Sequence, residues 1–173
     1  MADKMHDRGN FWRPVPAPTD VMQAPGFEAR FIAGLSQTLV TGNLDAARAG
    51  LVPGAPEVGL WGLATDREYW VSIARDRALL VSPTPLQVAP GWRDGYVATP
   101  CADAYAILDL SGDDLPQVIA EATSADLEAG SRSAAVLFAG VPAFLYRTAP
   151  STGRLHVESP LAAYLWTWLA ERR

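Results

Sequence analysis

The stretch from Ala104 to the C-terminus constrains the fold most, because its apolar pattern changes period in a fixed order. "AYAILDL" alternates like a strand, and "DDLPQVIAEAT" carries the spacing of a helix. "SAAVLFAG", "VPAFLYRTA" and "GRLHVES" then read as three strands, and "PLAAYLWTWLAERR" closes as a helix. Such a βαβββα unit over residues 104–173 is the signature of an α+β layer: helices on one face of a mainly antiparallel sheet.

Upstream, "VGLWGLA", "YWVSIA" and "RALLVS" are short β-branched and aromatic runs with tight polar breaks, which predicts an antiparallel meander over residues 58–82. "FEARFIAG" from Phe27 alternates as a strand. Asn43 is placed to cap a short helix over Leu44 to Ala49 that ends near Gly50. "LVPGAPEVG" and "SPTPLQVAPGWRDG" are loops by their proline and glycine content, and Trp92 in the second needs a surface to lie on. Residues 1–26, with Pro14, Pro16, Pro18 and Pro25 among polar residues, are expected to form an extended arm preceding a domain over 27–173.

With 173 residues, 49% of them hydrophobic, the chain can bury a full core without staples. Its net charge of -5 repels nucleic acid and anionic lipid. Cys101 is the only cysteine, so no internal disulfide can form, and beside Pro100 it reads as a plain small residue. The start, "MADKMHDRGNFW", lacks a signal-peptide core, and the apolar run from Ala134 to Tyr146 is broken by Gly140 and Pro142. The expectation is a soluble, cytoplasmic protein.

Candidate chemistry is sparse. In "LDLSGDDLPQVIA", Leu108 and Leu110 face one way and Asp109 the other; Asp113 stands where a helix N-cap belongs, Asp114 in the first turn, and Pro116 where its missing N–H costs little. Capping accounts for both acids. A phosphate cradle would need a glycine-rich turn and a lysine, and Gly112 is followed by two carboxylates instead. His6 and His156 are isolated, without metal-ligand spacing, and Ser111 lacks a nucleophile elbow. No catalytic, cofactor-binding or metal-ligating residue is therefore expected on this chain.

In the closing helix Leu161, Tyr164, Leu165, Trp168 and Leu169 form one stripe, and Trp166 points away from its centre. Trp166, with Phe11 and Trp12 in the arm, is the candidate for an interface with a partner.

Taken in order, "LWGLATDREYWVSIA", "AYAILDLSGDDLPQVIAEATSADLEAGSRSAAVLFAGVPAFLYRTA" and "ESPLAAYLWTWLAE" resemble the gamma subunit of heterotetrameric sarcosine oxidase, from about residue 58 to the C-terminus. That family is similar in fold to the folate-binding domains of the aminomethyltransferase, in reduced form. The resemblance implies a non-catalytic accessory subunit of a flavoenzyme that oxidatively demethylates sarcosine or a related N-methyl amino acid, passing the one-carbon unit to tetrahydrofolate. It also implies alpha, beta and small delta subunits as partners, with FAD, FMN, NAD and tetrahydrofolate bound on those partners. The fold kinship leaves open a stand-alone folate-binding protein or one-carbon transferase, and a scaffold with no metabolic link is a third reading.

Overall fold

A computed structural model of the chain describes residues 17 and 19–172. The expected arm over residues 1–26 falls largely outside them, and Phe11 and Trp12 wholly so. Two sheets carry the fold. The six-stranded sheet is antiparallel throughout, in the order β1 (Val21–Ala24), β2 (Phe27–Ile32), β8 (Tyr105–Ser111), β11 (Thr152–Glu158), β10 (Val141–Ala149), β9 (Ala135–Phe138). The five-stranded sheet runs β4 (Glu57–Val58), β5 (Tyr69–Ala74), β6 (Arg77–Ser82), β3 (Ser36–Gly42), β7 (Tyr96–Pro100), with only the β4–β5 pair parallel.

Period-two alternation decides which side of each strand meets which layer. Leu108 and Leu110 of β8, Leu145 of β10, and Leu155 and Val157 of β11 pack with Leu115, Val118 and Ile119 of α2 (Leu115–Ala122) and Leu165 and Leu169 of α3 (Ala162–Glu171). The intervening residues face the other sheet, where Phe144 and Tyr146 meet Val71, Leu79 and Val81. The outer face of the five-stranded sheet is covered by Leu44 and Ala47 of α1 (Leu44–Leu51), which sit with Val40, Trp70 and Leu80. The helix layer expected from the sequence thus lies on one side of the six-stranded sheet, and a second sheet fills the other.

Local chemistry explains several elements. Asn43 caps α1 as expected, its Oδ1 accepting from the Ala46 N–H at 3.2 Å. The acidic corner is used differently. The residue at the N-cap of α2 is Asp114, not Asp113, and its carboxylate makes no capping bond. The Asp114 N–H instead donates to the Gly26 carbonyl at 2.9 Å, and a Cβ on Gly112, at φ 120°, would come within 2.2 Å of that carbonyl oxygen. The corner is a docking point for the β1–β2 turn, and only glycine fits there.

Three further expectations are corrected. "VGLWGLA" is not a meander strand: β4 pairs parallel with β5, and the chain then crosses to β10, where the Trp61 and Ala64 N–H groups donate to the Leu145 and Arg147 carbonyls. Trp61 turns there at φ 56°, a left-handed conformation rare for an aromatic, with its carbonyl held by Arg147 Nε at 2.9 Å. Residues 21–24, assigned to the arm, form the edge strand β1. In α3, Tyr164 is not part of the inner stripe; it is 49% exposed, and Ala162 takes the buried position.

Candidate functional site

Between the two sheets lies a run of polar side chains that the sequence reading left as isolated residues. β11 places Arg154 and His156 on the same side, turned away from the helices, because Leu155 and Val157 take the apolar side. Register sets Asp109 of β8 opposite Arg154, and Tyr146 of β10 opposite Arg154 on the other flank. The five-stranded sheet supplies Gln37 from β3 and Tyr69 from β5.

The contacts form one chain. Arg154 grips Asp109 through two bonds, Nε to Oδ1 at 2.6 Å and Nη2 to Oδ2 at 2.7 Å, and its Nη1 donates to Tyr69 Oη at 3.1 Å. Tyr69 and Tyr146 hydroxyls are 2.9 Å apart, Tyr146 Oη is 2.7 Å from His156 Nε2, and His156 Nδ1 is 2.7 Å from Gln37 Oε1. Gln37 Nε2 donates to the Ala102 and Tyr105 carbonyls.

The two ends fix the direction of every proton in between. Carbonyls can only accept, so the Gln37 amide nitrogen faces them and its oxygen must accept from His156 Nδ1–H. A neutral imidazole then has Nε2 as acceptor, so Tyr146 donates to it. Tyr146 oxygen in turn accepts from Tyr69, whose own oxygen accepts from the guanidinium. Each hydroxyl gives one bond and takes one, and no member competes with its neighbour.

Burial enforces this arrangement. His156 is fully buried, and desolvation, helped by the Arg154 charge, pushes its pKa down to about 3, so the imidazole is neutral near neutral pH. Burial, reinforced by the neighbouring Tyr69, drives the Tyr146 phenol well above its ordinary value. Desolvation works against the Arg154 charge, yet the Asp109 bonds more than offset it and raise its pKa. The site is charged at one end and neutral along the rest. Cys101 borders the same interior, and burial raises its thiol, which keeps it protonated.

Of the interface candidates, Trp166 is half-buried and packs on Phe31, ring centroids 4.9 Å apart, at the rim of the helix layer. Phe11, Trp12 and His6 lie outside the described residues. Trp92 is 70% exposed, resting one ring edge over Gly42. Among the described residues no three His, Cys, Asp or Glu side chains gather into a group able to hold a metal ion, and no helix is long and apolar enough to cross a membrane. The signal that would have found the buried run is the pair Arg154 and His156 at i and i+2, alternating with the apolar Leu155 and Val157 and facing the side shared by Asp109.

No protein-family model matches the sequence, and a comparison with curated proteins gives no match. Among solved structures, the chain is similar to a chain of the heterotetrameric sarcosine oxidase from Corynebacterium sp. U-96, determined in complex with pyrrole 2-carboxylate. The likeness has a TM-score of 0.65 at 17% identity and covers 84% of this chain and 82% of that one. What the two share is the fold, a mixed α+β arrangement of mostly antiparallel sheets with few helices.

Proposed function

We propose that this chain is an accessory subunit, of the gamma type, in a heterotetrameric flavoenzyme that oxidatively demethylates sarcosine or a related N-methyl amino acid. The observation that carries the reading is the structural likeness across most of both chains, which coincides with the motif order read from the sequence. In this reading the fold is a reduced form of the aminomethyltransferase folate-binding fold. The alpha and beta subunits, with a small delta subunit, supply FAD, FMN, NAD and the tetrahydrofolate that accepts the one-carbon unit.

The polar interior supports a structural role for this chain. Every side chain in it is bonded to another, so none is left over to attack, protonate or bind a substrate. A folate pterin calls for a buried carboxylate; none of the described carboxylates is fully buried, and Asp109, the one in the inter-sheet run, is occupied by Arg154. The residues present do not fit a pterin, which favours folate on the partners over a stand-alone folate protein.

The test is co-expression of the full chain with the two larger flavoprotein subunits of a heterotetrameric sarcosine-oxidase-type enzyme, followed by affinity capture. A stable complex with flavin absorbance, and a chain that alone has neither flavin nor amine oxidase activity, supports the reading. A chain that stays monomeric beside those partners overturns it, and micromolar binding of tetrahydrofolate by the isolated chain would favour the stand-alone alternative.

A further inference from the structure

A second polar region lies on the opposite side of β5 from the buried run's anchor, as an open cleft of about 1140 Å³ between the start of α1, the end of β5 and the loop 131–133. Its walls carry Arg48, Arg75 and Arg132 against Asp45 and Glu57, a local excess of positive charge on a chain whose net charge is -5. The arginines are not equivalent. Arg48 is neutralised, with Nη1 3.2 Å from Asp45 and Nη2 2.8 Å from Glu57. Arg75 and Arg132 have no ion-pair or hydrogen-bond partner among the described residues, and both are exposed to the cleft.

The backbone that carries these two side chains is held in place. Arg132 sits in a loop laid directly on Gly59, where a Cβ would come within 2.1 Å of the Ser131 carbonyl oxygen. That loop is pinned to β5 by the Ser133 hydroxyl donating to the Ile73 carbonyl at 2.6 Å and by the Ala134 N–H donating to the Ser72 carbonyl at 2.8 Å. Ile73 is itself the extra residue of a β-bulge, since the register with β6 shifts between Ser72 and Ala74. A bulge re-aims the residues that follow it, here Arg75. Two uncommitted guanidinium groups that line one cleft from neighbouring, fixed backbone suit a planar oxyanion, because each offers paired N–H donors that match its oxygens.

We propose that this cleft is a binding site for a small ligand carrying a carboxylate or phosphate group, held by Arg75 and Arg132. Glu57, which also accepts from the Ser72 hydroxyl of β5, and Asp45 keep Arg48 occupied, which leaves Arg75 and Arg132 as the unpaired cationic groups of the cleft. The proposal does not depend on the subunit reading and concerns this chain alone.

Calorimetric titration of the full chain with inorganic phosphate, and separately with succinate, at ionic strength held constant by chloride, tests it. Saturable heat with either probe is expected, and the one that binds identifies the headgroup. Both side chains are exposed, so Arg75→Gln and Arg132→Gln are expected to keep the parent melting temperature while each weakens binding about tenfold. Absence of saturable heat with both probes at millimolar concentration overturns the site, as does a double variant that binds as tightly as the parent.

Discussion

The two faces of the six-stranded sheet are built on opposite principles. Toward the helices, Leu108, Leu110, Leu145, Leu155 and Val157 meet the apolar sides of α2 and α3 with no polar atom among them. Toward the other sheet, the same strands present Asp109, Tyr146, Arg154 and His156, tied to Gln37 and Tyr69 by bonds whose direction is fixed from end to end. The apolar side contributes more stabilisation, about 2 kcal/mol for each large side chain buried, but it says little about which neighbour sits where. The polar side contributes less net energy and admits one registration of the two sheets, because a shift would leave buried donors unpaired.

Acid should separate the two most clearly. His156 has a folded pKa of about 3, below the unfolded value of 6.5, so the unfolded chain takes up this proton first as pH falls. Stability from this group is complete above the unfolded pKa and is lost progressively toward the folded one, a loss on the order of 5 kcal/mol. Urea midpoints measured across that range should drop steeply, and less steeply in His156→Leu. Equal slopes in both proteins would show that the inter-sheet histidine is not the group responsible.

On the helix side, Leu108→Ala should cost about 3 kcal/mol, through lost transfer energy and a residual cavity, without introducing any new dependence on pH. Chemical denaturation at neutral and mildly acidic pH would check both halves of that statement. Tyr146→Phe removes a single oxygen and leaves His156 Nε2 without its donor and Tyr69 without its acceptor, so a loss of about 2 kcal/mol is expected despite near-identical shape. Leu155→Met, an equally conservative change on the other face of the neighbouring strand, should cost less than about 1 kcal/mol. If the tyrosine change proved the milder of the two, the distinction drawn between the faces would fail.

Much of the apolar face was legible in the sequence, and little of the polar one. The strand over Val141–Ala149 stands out as a mostly apolar run with β-branched and aromatic residues, and the helix starting near Leu115 because its apolar residues repeat at helical spacing. β3 is different: it opens Ser36, Gln37, Thr38, all of them buried, and a polar start of that kind resembles a turn until the opposite sheet supplies partners. His156 looked isolated for the same reason, since Gln37 lies 119 residues away in the chain. "VGLWGLA" has strand-like composition, but Gly59 and Gly62 let it fold back and leave one sheet for the other, which no periodicity records. Capping by Asp113 and Asp114 was the expectation at the corner, but the bond made there is from the Asp114 backbone N–H to the Gly26 carbonyl, in a turn far earlier in the chain.

That crossing segment affects how the molecule comes apart. Residues 57–64 start hydrogen-bonded to β5 and finish on β10, so peeling either layer from this side pulls on the other. Partial opening gains little chain freedom while forfeiting contacts in both layers, which suppresses half-melted forms. Heat should therefore take the described body of the protein apart in one cooperative step, with fluorescence and circular dichroism tracing the same curve.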